Sequence, residues 1–254
     1  MLVNSNDTKT FTTGPKRFEI VARRMEEEFG EPVELSVKSV WPRETMPAVI
    51  EKWMDETQPD LVYLNVVALW FQYESVPLRA RRIFGLGTKS VGDAIFSMAN
   101  AQWWMRNAVF RGLRNGARWV VGGDHHFTRE QVVERVGESV RIMARREDTV
   151  VVVKGARALA QHGTNFYRQR RADRDRDWVD AAVRRLCEQH HAVYTGLEVG
   201  TNVQRRGMKH RADDRLHLNA QGHLASADDH FPPIRDAWAA HLRATSGERQ
   251  AGIV

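Results

Sequence analysis

The residues best suited to chemistry lie near the C-terminus, in Asp213-Asp214-Arg215-Leu216-His217-Leu218-Asn219-Ala220-Gln221-Gly222-His223. Asp214 and His217 are three residues apart, which in a tight turn or first helical turn puts both side chains on one side. A carboxylate so placed accepts the imidazole Nδ1 proton, fixes the tautomer and leaves Nε2 free as a base. Asn219 suits the N-cap of the helix that follows. A second cluster is Gly122-Gly123-Asp124-His125-His126. Adjacent residues on an extended segment point opposite ways, so one of His125 and His126 faces a site, for substrate binding or as a donor to an oxyanion. Asp124 or Thr128 is expected to cap the next helix. No His-Glu-x-x-His spacing and no cysteine pairing is present, so no metal and no cofactor is expected.

Positioning such groups takes a sizeable scaffold, and 254 residues suffice for one large α/β domain. Hydrophobic content of 42% and charged content of 28% are ordinary for a globular protein. The net charge of +6 is spread among acids, as in the run from Arg168 to Asp177, which reads as a solvated face. With no zinc-finger spacing or basic-aromatic array, nucleic acid is not an expected partner. The single cysteine, Cys187, excludes an intramolecular disulfide and reads as a small core residue. The chain opens on a strand-like segment and has no apolar run long enough to span a bilayer, so the expected location is the cytoplasm.

Strand patterns are expected at residues 1–6, 33–40, 60–70, 149–154 and 192–197, with a short strand at 119–122. Helices are expected at 17–29, 47–57, 129–146, 178–189, 220–227 and 234–244. Such alternation predicts a parallel sheet with helices on both faces. One domain is expected over 1–245, with a polar tail at 246–254 and a helical insertion at about 72–126. The insertion's aromatic stretch, 94–114, suits a lid or ligand wall, an oligomer helix, or an interfacial helix with Trp103 and Trp104 facing lipid.

The string Asp-x-Leu-His-Leu-Asn-x-x-Gly-His over 214–223 resembles the last sequence block of the SGNH (GDSL-type) hydrolases. The element order is similar over essentially the whole chain. The resemblance implies a three-layer, flavodoxin-like α/β fold. After the first strand, Asn6-Asp7-Thr8-Lys9-Thr10 is similar to that family's Gly-Asp-Ser-x-Thr, with Asn6 for glycine and Thr8 for the nucleophilic serine. Ser5 offers an alternative register. The second block is altered. Its donating glycine falls on Pro42, which has no N–H, or on Arg43 if the register shifts by one. In the third block Leu69 replaces the asparagine donor, leaving Asn65, Gln72 and Tyr73 as nearby substitutes.

By this resemblance the chain is an esterase or acyl hydrolase. Thr8 attacks, His217 is the base, Asp214 orients it, and Asp7, Asn65, Gln72, His125 and His126 bind a small ester or acyl substrate. The altered donor blocks support a rival reading, a non-catalytic ligand-binding protein on the same fold, or an acyltransferase.

Overall fold

The computed structural model describes residues 1–4, 14–72, 122–156, 166–196 and 218–251. It also describes the isolated positions 75, 78, 79, 109, 112, 113, 116, 119, 120 and 210. In chain order the elements are β1 (Leu2–Asn4), α1 (Arg17–Phe29), β2 (Ser36–Lys38), α2 (Met46–Thr57), β3 (Leu61–Asn65) and α3 (Leu69–Gln72). They continue with α4 (Arg129–Met143), β4 (Val150–Lys154), α5 (Phe166–Gln189), β5 (Val193–Thr195) and α6 (Ala220–Ala251).

Four-residue apolar runs make the central strands. Leu61–Leu64 and Val150–Val153 are buried throughout, as strands covered on both faces must be. All five strands are parallel, in the order β2-β1-β3-β4-β5. That is the flavodoxin-like doubly wound order, with its switch point between β1 and β3. The fold class is therefore as expected, a parallel α/β sheet flanked by helices. On one face Val3, Leu61, Tyr63, Val150 and Val152 pack with Phe18, Val21 and Met25 of α1 and Ala227, Ile234 and Ala237 of α6. The alternate residues Leu2, Val62, Leu64, Val151 and Val153 are just as buried, so the second face is covered too.

Helix α1 forms where its pattern predicts. Its apolar stripe is buried, Glu19 accepts the Lys16 N–H at 2.8 Å, and Gly30 closes it at φ 74° with its N–H on the Glu26 carbonyl. Four expectations are corrected. The strand expected over 60–70 ends at Asn65, and the Gln72 N–H to Ala68 carbonyl bond closes a helical turn instead. A continuous apolar run does not distinguish a buried strand from a buried turn of helix. Trp119 and Val120 are helical and exposed, not a strand. Helix α5 starts at Phe166 rather than Trp178, its polar first half held by pairs such as Arg176 to Asp173 at 3.1 Å. Helix α6 is continuous through Pro232 and Pro233, where a break between two helices was expected. Buried Asp229 and His230 before the prolines, and Ile234 after them, hold the segment in place.

By internal contacts the chain divides into two compact units. The first comprises Met1–Val66, Glu134–Ala156 and Asp180–Val254, and the second Val67–Val133 and Arg157–Val179. Most of the expected insertion, including nearly all of 94–114, lies outside the described residues. Its described positions 78, 79, 109, 112, 113, 116, 119 and 120 are helical. No described helix is long and apolar enough to cross a membrane.

Cys187 is buried on α5, as are Ala182 and Val183, as expected of a core residue. Burial pushes its thiol up to about 12, so almost no thiolate exists at neutral pH. A thiol reagent should therefore label the native protein negligibly, and stoichiometrically only through the urea unfolding transition. Full labelling of native protein within minutes would refute this burial.

Candidate functional site

Every strand of the sheet ends on a polar residue: Asn4, Lys38, Asn65, Lys154 and Thr195. In register, Asn4 pairs with Lys38, and Lys154 lies between Asn65 and Thr195. Open α/β sheets bind ligands at this carboxyl edge. Asn4, 5% exposed, ties the switch point together. Its Nδ2 donates to the Asn65 carbonyl and its Oδ1 accepts the Val40 N–H, both at 3.3 Å. Lys154 is 1% exposed and Thr195 is 5% exposed, with no hydrogen bond to Thr195 Oγ1 among the described residues. Buried polar groups are costly, and their concentration at one edge marks it as more than packing.

Beside this row the Tyr194 hydroxyl donates to Asp180 in a short hydrogen bond. Burial, then that bond and the Asp180 charge, push the Tyr194 phenol well above its ordinary range. Gly155 fits between the strand end and this pair, and its N–H donates to the Thr195 carbonyl at 3.0 Å.

Helix α6 begins as the sequence predicts. Asn219 Oδ1 accepts the Gly222 N–H at 2.9 Å, the N-cap bond, and the Asn219 N–H donates to the His210 carbonyl at 3.1 Å. The next residue ties α6 to α1, because the Arg17 N–H donates to His223 Nδ1 at 3.4 Å. Further along both helices, Arg24 pairs with Asp228 at 2.8 Å, so α1 and α6 run side by side in the same direction. Deeper on that face, His230 Nδ1 and the Tyr63 hydroxyl share a hydrogen bond of 2.6 Å, and both rings contact Phe18 edge-on or tilted.

The residues expected to do the chemistry, Thr8, Asp214 and His217, lie outside the described residues, as do Asp7, Ser5 and Tyr73. Asn65 sits on the carboxyl edge. Arg43, the alternative donor in the second block, has its N–H turned onto the Trp41 carbonyl at 2.7 Å.

Gln72, His125 and His126 belong to the second unit. Gln72 is 1% exposed, and its Nε2 donates to the Ala172 carbonyl at 2.6 Å. His125 and His126 line an open cleft of about 920 Å³, together with Phe71, Phe127, Arg171 and Arg174. The loop carrying them is pinned at both ends. Asp124 and Ser75 exchange backbone hydrogen bonds of 2.9 and 3.1 Å, and the Phe127 N–H donates to the Trp70 carbonyl. Thr128, rather than Asp124, caps α4. Its Oγ1 accepts the Gln131 N–H while Gln131 Oε1 accepts the Thr128 N–H, a reciprocal capping box. Burial, then the neighbouring His125, lower the His126 imidazole from its ordinary value, which favours its neutral form. The described residues contain no group of three or more His, Cys, Asp or Glu placed to hold a metal ion.

Apart from Asn65, the polar strand ends were not singled out from the sequence, and neither were the cleft arginines. The strand ends had a readable signal, a polar residue closing each apolar run. The arginines had none, because only the folded chain determines which of them are paired.

No model of a known family and no curated protein matches this sequence. Among solved structures, the chain is similar to the lipase Lip_vut3 from a goat rumen metagenome. The alignment covers 93% of this chain and 94% of that one, with 13% identity and a TM-score of 0.44.

Proposed function

We propose that the chain is a hydrolase of the SGNH type acting on an ester or acyl bond, with Thr8 as nucleophile, His217 as base and Asp214 orienting it. The observation that carries this reading is the tether between α1 and α6, the Arg17 N–H on His223 Nδ1. It supports a shared location for the two sequence blocks. Thr8 follows the Asn4 clamp by four residues, a reach of about 14 Å at most. His217 precedes the Asn219 cap by two. Both anchors belong to the carboxyl side of the first unit, so a threonine hydroxyl and an imidazole can meet there. His217 Nε2 removes the Thr8 proton as Oγ1 attacks the carbonyl carbon. The same nitrogen returns it to the leaving alkoxide, and water then repeats the cycle on the acyl-enzyme.

The Thr8 N–H is the remaining donor to the oxyanion from the recognisable blocks. Each lost donor costs roughly 10²–10³ in rate, so the enzyme is expected to be slow on simple esters. Hydrolysis of p-nitrophenyl acetate and butyrate by wild type, Thr8→Ala and His217→Ala tests this. Each substitution should lower kcat by about 10³-fold or more. A wild type no faster than both variants would sink the reading. That outcome favours the rival, a ligand-binding protein without hydrolysis, whose supporting observation is the Arg43 N–H already committed to Trp41.

A further inference from the structure

The cleft of the second unit has its own charge pattern. It carries three carboxylates, and each is held by an arginine. Asp124 pairs with Arg79 at 3.4 Å, while Glu130 and Asp175 both pair with Arg129, at 2.7 and 2.9 Å. Arg129 is fixed further by stacking 4.6 Å over the Trp178 ring. Arg171 and Arg174 line the same cleft and make no ion pair, hydrogen bond or ring contact among the described residues. They lie three residues apart on α5 and so project from one side of it. Other arginines of that helix are engaged, Arg176 with Asp173 and Asp177, and Arg170 with the Phe166 ring.

Guanidinium groups donate only, so what completes Arg171 and Arg174 is an acceptor, and their planar forks match carboxylate or phosphoryl oxygens. His125 and His126 add ring nitrogens to the same concavity, and Arg129 and Glu130 bring the first turn of α4 to its wall. Two such forks suit a dianionic tetrahedral group better than a single carboxylate. Size decides the rest. A cavity of about 920 Å³ is in the range that holds a whole organic ligand, and Phe71 and Phe127 give it apolar surface.

We propose that this cleft binds an organic phosphomonoester, its phosphoryl group held by Arg171 and Arg174 and its apolar body resting against Phe71 and Phe127. This proposal does not rest on the ester chemistry proposed above and stands whether or not that chemistry occurs.

Calorimetric titration of the full chain with phenyl phosphate, inorganic phosphate and benzoate tests it. Phenyl phosphate should bind saturably and at least tenfold more tightly than either of the others. The double variant Arg171→Ala/Arg174→Ala should weaken phenyl phosphate binding at least tenfold. Both side chains are exposed, and thermal melting checks that the fold is kept. Arg171→Lys/Arg174→Lys should recover part of the affinity, since charge returns without the forks. Absence of saturable phenyl phosphate binding, or binding unchanged in the alanine variant, overturns the site. Inorganic phosphate bound as tightly as phenyl phosphate overturns the organic body, and benzoate bound as tightly overturns the phosphoryl preference.

Discussion

Alanine at position 222 should destabilise the protein although it lies in a helix. Alanine is normally favoured over glycine there by about 1 kcal/mol. Here a Cβ would land deep inside van der Waals contact of the His210 carbonyl oxygen, and 3.1 Å from Leu218 Cδ2. A side-chain end could swing away, but this carbonyl is backbone and is already fixed by the Asn219 N–H. Relief requires α6 to back off, which strains the cap between Asn219 Oδ1 and the Gly222 N–H as well. Overpacking costs about 1–3 kcal/mol and a lost cap about 0.5–2 kcal/mol, so strain outweighs the propensity gain. Urea unfolding should show a lower midpoint at unchanged slope. A Gly222→Ala protein as stable as wild type, or more so, would mean that the close approach to His210 does not exist. If the proposed hydrolysis holds, the same substitution should also lower kcat, because it moves the helix start that follows His217.

Gly155→Ala is the second large effect, and here side-chain chemistry sets the cost. The added Cβ would meet Asp180 Oδ1 and the Tyr194 hydroxyl, the two atoms that bond each other, and would lie 3.1 Å from Tyr194 Cζ. The backbone cannot retreat without breaking the Gly155 N–H bond to Thr195. Asp180 is 8% exposed, and a buried carboxylate that loses a hydrogen bond costs about 1–3 kcal/mol, to which overpacking adds about as much. A double-mutant cycle separates the terms. Tyr194→Phe removes the hydroxyl, so Gly155→Ala should cost less in that background than in wild type. Strictly additive losses, measured by urea unfolding, would refute the shared clash.

The sequence read well where a local pattern and the folded environment agree. Helix α1 was legible to the residue because its apolar spacing ends at Gly30, and β4 because four valines in a row admit little else. Asn219 was legible as a cap for the same reason, since its role depends on the next three residues alone. The turn after Asn65 was not legible, because Val66 to Phe71 is apolar in either conformation; the ladder ends with the Val66 N–H on the Lys154 carbonyl and a helical turn closes with the Gln72 N–H on Ala68. The polar start of α5 has no apolar stripe to betray it, and α6 keeps its course through two prolines by packing that only the tertiary fold supplies. In the cleft the sequence shows a block of alternating arginines and aspartates. Which arginine is spoken for depends on Arg129 reaching Asp175, 46 positions away.

The pairing of α1 with α6 also affects how the chain comes into being. Arg24 and Asp228 are 204 positions apart, and Phe18, Val21 and Met25 share their core with Ala227, Ile234 and Ala237. At synthesis rates of about 5–20 residues per second, the first helix leaves the ribosome about 10–40 s before its last neighbour exists. Its oily side spends that interval half-covered, in a nascent chain whose sheet is also incomplete. Contacts this distant along the chain slow folding, and they leave α1 in need of shielding until α6 has been made.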